Sequence, residues 1–196
     1  MANFTLNLIR AGNIAAFIVT LIVNGLSTTT FFNNRTTSEV SDAYPTLITP
    51  PGYVFSIWSI IYVLLAIFVI YQALPNQKTK PYQKQIGALF ILSSLFNIVW
   101  LLLWQYDYIT ISVAAMLALL ATLITIYLRL NIGRSSSPII EKICVHLPFS
   151  VYLGWITIAT IANISQALYA SGYPELGLGG PAWATIMIAI GTVIIS

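Results

Sequence analysis

The chain has 196 residues, of which 58% are hydrophobic and 7% charged, with a mean hydropathy of +0.88 and a formal net charge of +3. A soluble domain carries about 25% charged residues, so this composition excludes a water-facing globule and marks an integral membrane protein. The apolar runs are too long and unbroken for barrel strands. No basic run interleaves with aromatics, which leaves nucleic acid without support as a partner. The single cysteine, Cys144, excludes an intrachain disulfide and a cysteine-based zinc cage.

The first span is expected at 8–26, with Asn13, Phe17, Thr20 and Asn24 on one helical face. Amides within a span turn toward protein or a cavity rather than lipid. A polar outer loop follows at 28–49, rich in Thr, Ser and Asn; a lid over a pocket and a solvated spacer suit it equally. The second span, 52–74, opens on Pro50-Pro51 and places Phe55, Trp58 and Tyr62 on one side. The third, 86–104, aligns Ser93, Asn97, Trp100 and Trp104, the last at the position of an interfacial tryptophan. The fourth is expected at 109–130. His146 reads as an interfacial residue ahead of the fifth span, 147–169, which aligns Trp155, Ala159, Asn163 and Gln166. A sixth apolar segment, 178–196, closes the chain. Its run from Ala182 is short for a bilayer core of about 30 Å, which suggests a longer native chain. The whole is a single transmembrane domain, 1–196, of all-α class: a polytopic helical bundle in a lipid bilayer.

With six spans, Arg10, Lys78, Lys80, Lys84, Arg129, Arg134 and Lys142 fall on one side and Arg35 alone on the other. The positive-inside rule then puts the N-terminus and the basic loops in the cytoplasm, and a plasma (inner) membrane is the expected location. Gly154 and Ala159 suggest a small-residue edge for close helix contact, and a homodimer is an expected assembly.

The three aromatic–amide stripes suit a flat-walled cavity for a large planar apolar ligand. They suit a close-packed helix core equally well. No acidic pair or Ser/His/Asp set falls within one membrane layer, so no catalytic residue and no metal ligand is assigned.

Three motifs carry a resemblance. Pro50-Pro51-Gly52-Tyr53-Val54-Phe55 with Trp58 and Tyr62 resembles the second-helix signature of the TspO/translocator protein family, the tryptophan-rich sensory proteins. Asn97-Ile98-Val99-Trp100 resembles that family's third-helix Asn-x-x-Trp. Tyr152-Leu153-Gly154-Trp155 with Ala159, Thr160 and Asn163 resembles its fifth-helix pattern. The resemblance implies a five-helix core that binds porphyrins or haem, here with a sixth segment added. It places Trp58, Asn97, Trp100, Trp155 and Ala159 at the pocket, beside Phe55, Tyr62 and Asn163 from the stripes. The function it implies is binding or sensing of a tetrapyrrole, with translocation as an extension and no cofactor required. A small secondary transporter of another solute and a porphyrin-degrading enzyme are the alternatives. The first loop departs from the family in carrying Tyr44 and no tryptophan, and Ser165-Gln166 replaces the aromatic that follows the fifth-helix Asn.

Overall fold

A computed structural model describes the backbone of residues 2–195 and the side chains of residues 6–192. The elements are helical: α1 (Ala2–Ser27), α2 (Thr37–Asp42), α3 (Ile57–Ala73), α4 (Pro81–Ile86), α5 (Leu89–Gln105), α6 (Ile109–Arg129), α7 (Ile139–Glu141), α8 (Leu147–Ala170) and α9 (Gly180–Ile195). Four stretches are long and apolar enough to cross a membrane: Leu6–Ser27, Gly52–Ala73, Ile109–Arg129 and Ile139–Ala170. Leu89–Gln105 and Gly180–Thr192 are shorter apolar helices. The protein is a multi-pass integral membrane protein.

Five helices close a ring: α1 packs on α3 and α5, α5 on α6, α6 on α8, and α8 on α3. Each helix satisfies its own backbone polar groups without water, and the ring then buries the side chains that lipid would not solvate. The polar face of α1 turns inward as its periodicity predicts, with Asn13, Thr20 and Asn24 buried.

Each helix end has a local cause. Ser27, Thr28 and Thr29 donate their hydroxyls to the carbonyls of Asn24, Gly25 and Leu26 at 2.7, 2.8 and 2.6 Å, relieving acceptors that the end of α1 leaves unpaired. Pro75 forces Leu74 into an extended conformation (ψ 143°) and stops α3. The freed carbonyls of Gln72 and Leu74 accept from the guanidinium of Arg10, at 2.6 and 3.1 Å. Arg10 is therefore a buried clamp between α1 and α3, not a loose flanking charge. Gly87 (φ +51°) separates α4 from α5, which is the expected third span, because only glycine adopts its backbone pair of +51° and −130° without strain.

The ring has two aromatic layers. In the half toward the basic loops, Phe68 of α3, Phe90 of α5 and Phe149 of α8 meet edge-on with centroids 5.0–6.0 Å apart. The other half holds the tryptophans. There the expected outer loop contains α2, whose Thr36 and Glu39 form a reciprocal capping box. Val40 of α2 is fully buried, so this segment is a packed cover and not a solvated spacer.

Three other expectations are corrected. Trp104 is 3% exposed and points into the ring instead of standing at the lipid interface. His146 is also buried, within a π-helical turn (Lys142–His146) that leads into α8. Gly154 and Ala159 do not share an edge: five residues place them about 140° apart on a helix of 3.6 residues per turn. Gly154 faces open space while Ala159 faces the tryptophans.

The sixth segment forms α9. Left-handed Glu175 and Leu176 (φ 57° and 52°) turn the chain, and Pro181 sits in the first turn, where its missing N–H is harmless. The expected segment ran to Ser196, which lies outside the described residues. α9 sits outside the ring against α8, where the Trp183 indole donates to Ser165 Oγ at 2.7 Å.

Candidate functional site

Trp58 is the hub of the upper layer. The double proline and a 3-10 turn (Gly52–Ser56) deliver the chain into α3 so that Trp58 enters the ring one turn down. It stacks on Tyr62 (centroids 5.5 Å apart, planes at 17°) and on Trp100 (6.3 Å, 29°). Tyr152 and Trp155 of α8 meet it edge-on, each at 6.1 Å. Trp104 continues the array from Trp100 at 5.9 Å. The aromatic members of all three sequence stripes thus converge.

The amides brace this cluster. Asn24 Nδ2 donates to Asn97 Oδ1 at 2.8 Å, tying α1 to α5. Trp100 Nε1 donates to Asn163 Oδ1 at 3.2 Å, and Asn163 Nδ2 donates to Ser112 Oγ at 3.1 Å, linking α5, α8 and α6. Asn97 is fully buried, and its observed contact is with α1. Both amides act as crossbars, each contributing about 1 kcal/mol by the usual scale for such bonds between membrane helices.

Two spaces adjoin Trp58. A cavity of about 530 Å³ lies between α1, α3 and the loop, lined by Asn24, Thr37, Phe55, Trp58, Tyr62 and Leu101 among others. Its lining also carries hydroxyl residues at the loop end, Ser27, Thr28, Thr36, Ser38 and Ser56. On the other side of Trp58 a chamber of about 50 Å³ is lined by Trp100, Trp104, Trp155, Ala159 and Asn163. Trp58 and Phe55 line both and form the partition. Sites for drug-sized ligands run to about 300–1,000 Å³, so the larger space admits a ligand and the smaller one does not in this conformation. No charged side chain among the described residues lines either space.

The cluster is not electrostatically closed. Tyr62 Oη, Asn97 Nδ2, Trp104 Nε1 and Trp155 Nε1 are buried with no hydrogen-bond partner among the described residues. Each unsatisfied group of this kind costs about 1–3 kcal/mol. The phenylalanine rings of the lower layer have no polar atoms, although the same half of the ring holds two further unpartnered groups, Asn13 Oδ1 and Gln72 Nε2.

The loop is fastened over these spaces. Gln166 of α8 donates to Ser41 O at 3.0 Å and Ser41 Oγ at 3.1 Å. Thr37 donates to Ser27 O at 3.1 Å and Gln105 Oε1 at 3.3 Å. Arg35 pairs with Asp107 in the α5–α6 turn, and Tyr44 donates to the same carboxylate at 3.1 Å. Burial and that hydrogen bond both push the Tyr44 phenol above its ordinary range. The Glu39 carboxyl is held below its ordinary range, chiefly by the backbone N–H of Thr36.

Of the eight residues singled out from sequence, Phe55, Trp58 and Tyr62 line the larger cavity. Trp100, Trp155, Ala159 and Asn163 surround the smaller one, and Asn97 lines neither. Sequence reasoning missed Trp104, Thr37 and Ile48 as lining residues. Trp104 had been on the right stripe, but the loop residues had no periodicity to reveal them.

The family model described as TSPO-like protein matches residues 8–196. No curated protein matches the chain. No solved structure matches it either.

Proposed function

The chain belongs to the TSPO-like family, and from that premise we propose that it binds a planar hydrophobic ligand of the tetrapyrrole class, as a sensor or carrier in the membrane. The observation that supports this most is the Trp58 cluster, which offers flat indole and phenol faces beside a cavity of about 530 Å³. A macrocycle lies against Trp58 and Phe55, and its polar edge turns to the hydroxyl-bearing loop end. The unpaired Tyr62 hydroxyl supplies a hydrogen bond within the cavity wall. Acceptor atoms on the ligand satisfy the indole N–H groups of Trp104 and Trp155 if the partition moves. Ala159 leaves room behind Trp155, where a bulkier side chain would fill the chamber.

The test is a protoporphyrin titration of the protein in vesicles, followed by tryptophan fluorescence. Saturable quenching is expected, weakened in Trp155→Ala and in Ala159→Phe. Absence of saturable quenching, or equal quenching in both variants, contradicts the proposal.

The same proposal sets the bundle with its basic end in the cytoplasm of a plasma (inner) membrane. Arg10, which reaches α3's last carbonyls, and the lysine-bearing α3–α5 segment share that end. In a Cys144→Ser background, a Lys80→Cys variant is expected to resist an impermeant maleimide in intact cells, and Phe31→Cys to react. The reverse pattern inverts the topology.

A further inference from the structure

The helix beyond the five-helix ring creates a space of its own. α9 touches α8 closely at two places. Trp183 is buried on Ser165. At Gly191 a side-chain carbon would come within 2.8 Å of Ile161 Cδ1, so glycine permits the approach there. Beside these contacts an open groove of about 660 Å³ remains, lined by Ile48, Ile158, Ile161, Ala162, Met187 and Ile188, with Thr192 the one polar side chain among the described residues. Ile158 and Ile188 are 52% and 64% exposed, on the flank that a bilayer covers.

Three of those residues have a second role. Ile48, Ile158 and Ala162 also line the small tryptophan chamber. The groove and the chamber are thus two sides of one thin apolar wall. Ile48 is the member of that wall that belongs to the loop. It sits within a hydroxyl-bonded turn, where Thr46 N–H donates to Thr49 Oγ1 at 2.9 Å, just ahead of the double proline. The loop is tied to α8 upstream of Ile48, through Ser41 and Gln166. Ile48 itself contributes only an aliphatic side chain.

The two sides of the site differ in chemistry. The α1–α3 cavity carries hydroxyl residues at its loop end. The α8–α9 groove offers hydrocarbon to hydrocarbon. A flat apolar molecule dissolved in lipid meets nothing in the groove that it must desolvate, whereas the hydroxyl-bearing end suits exchange with water.

We infer that the α8–α9 groove is a lipid-side mouth of the tryptophan site, through which a planar hydrophobic ligand enters from the bilayer past Ile48. The inference rests on the binding function proposed above. Trp58 and Ile48 then stand at opposite walls of the chamber, and passage requires each side chain to turn aside.

The test uses the full chain in vesicles already loaded with protoporphyrin, read by the shift of the porphyrin absorption band after rapid mixing. Ile188→Trp fills the groove without touching the chamber. It is expected to slow association and dissociation alike, by about tenfold, with the equilibrium constant unchanged, as a gate changes both rates together. Ile190→Trp, on α9 but not lining the groove, is expected to keep wild-type rates, and Ile48→Ala to raise both. Wild-type rates in Ile188→Trp overturn the lipid-side mouth while leaving the binding function intact. A weaker equilibrium constant with unchanged association overturns it too. No saturable binding by the wild type overturns the binding function on which the mouth depends.

Discussion

Two aromatic layers share the same three helices and differ in almost every physical respect. Phe68, Phe90 and Phe149 are at most 1% exposed and meet edge-on with centroids 5.0–6.0 Å apart. Trp58, Tyr62, Trp100, Tyr152 and Trp155 are similarly spaced, yet they flank two spaces, and four buried polar atoms around them, on α3, α5 and α8, lack partners among the described residues. An aromatic stripe on a membrane helix is therefore not one kind of object. The lower layer is optimised for contact alone. The upper layer keeps volume open and leaves four polar atoms unsatisfied, against two (Asn13 Oδ1 and Gln72 Nε2) in the lower half, costs that a purely structural core has little reason to retain.

The comparison breaks most sharply on stability. Phe149→Ala is expected to destabilise the bundle by about 3 kcal/mol or more, the usual cost of emptying a tight aromatic site. Thermal unfolding in detergent checks this, with Trp58→Ala as its counterpart. That change merges two existing spaces instead of opening a new one, so its loss of stability should be clearly smaller than that of Phe149→Ala. A loss in Trp58→Ala equal to that in Phe149→Ala would mean the upper layer is ordinary core.

A middle-sized effect concerns the cover. Gln166→Leu removes two hydrogen bonds to Ser41 and is expected to cost about 1 kcal/mol, and to expose the loop to protease while the ring stays folded. If proteolysis of the loop is unchanged, the cover does not depend on α8.

The smallest effect is a pH response of α2. Glu39 titrates below the ordinary glutamate range because its carboxylate accepts from Thr36. A depressed carboxyl contributes order above its unfolded pKa and loses that contribution as pH falls through its folded pKa. Loop protection against protease should therefore decline on acidification in the wild type. In Glu39→Gln, which has no such titration, the decline should be absent.

Much of this architecture was legible in the sequence. Unbroken apolar runs define the helices, and the amides of α1 mark its inner face because lipid tolerates neither loose backbone nor stray amides. The aromatic stripes located the upper layer but could not distinguish it from packing, since periodicity reports which face is buried and not how much space lies beside it. Trp104 misled because a tryptophan near a span's end resembles an interfacial anchor; it is enclosed instead by α8 and by the loop at Ser41 and Ile48. The clamp role of Arg10 was not legible, because its partners, the carbonyls of Gln72 and Leu74, lie more than sixty residues away. The Thr36–Glu39 capping box is a local signal that the surrounding polar residues obscured. The division of the site by Trp58 depends on distances between helices that no single segment encodes.

The most direct measurement compares the two layers in one experiment. Protoporphyrin is titrated into the wild type, Trp58→Leu and Phe149→Leu, each in the same vesicles and each first shown to be folded. The affinity is expected to fall about tenfold or more in Trp58→Leu, from the loss of stacking area, and to stay at the wild-type value in Phe149→Leu. Equal affinity in all three, or a greater loss in Phe149→Leu, would contradict the assignment of the upper layer as the ligand site.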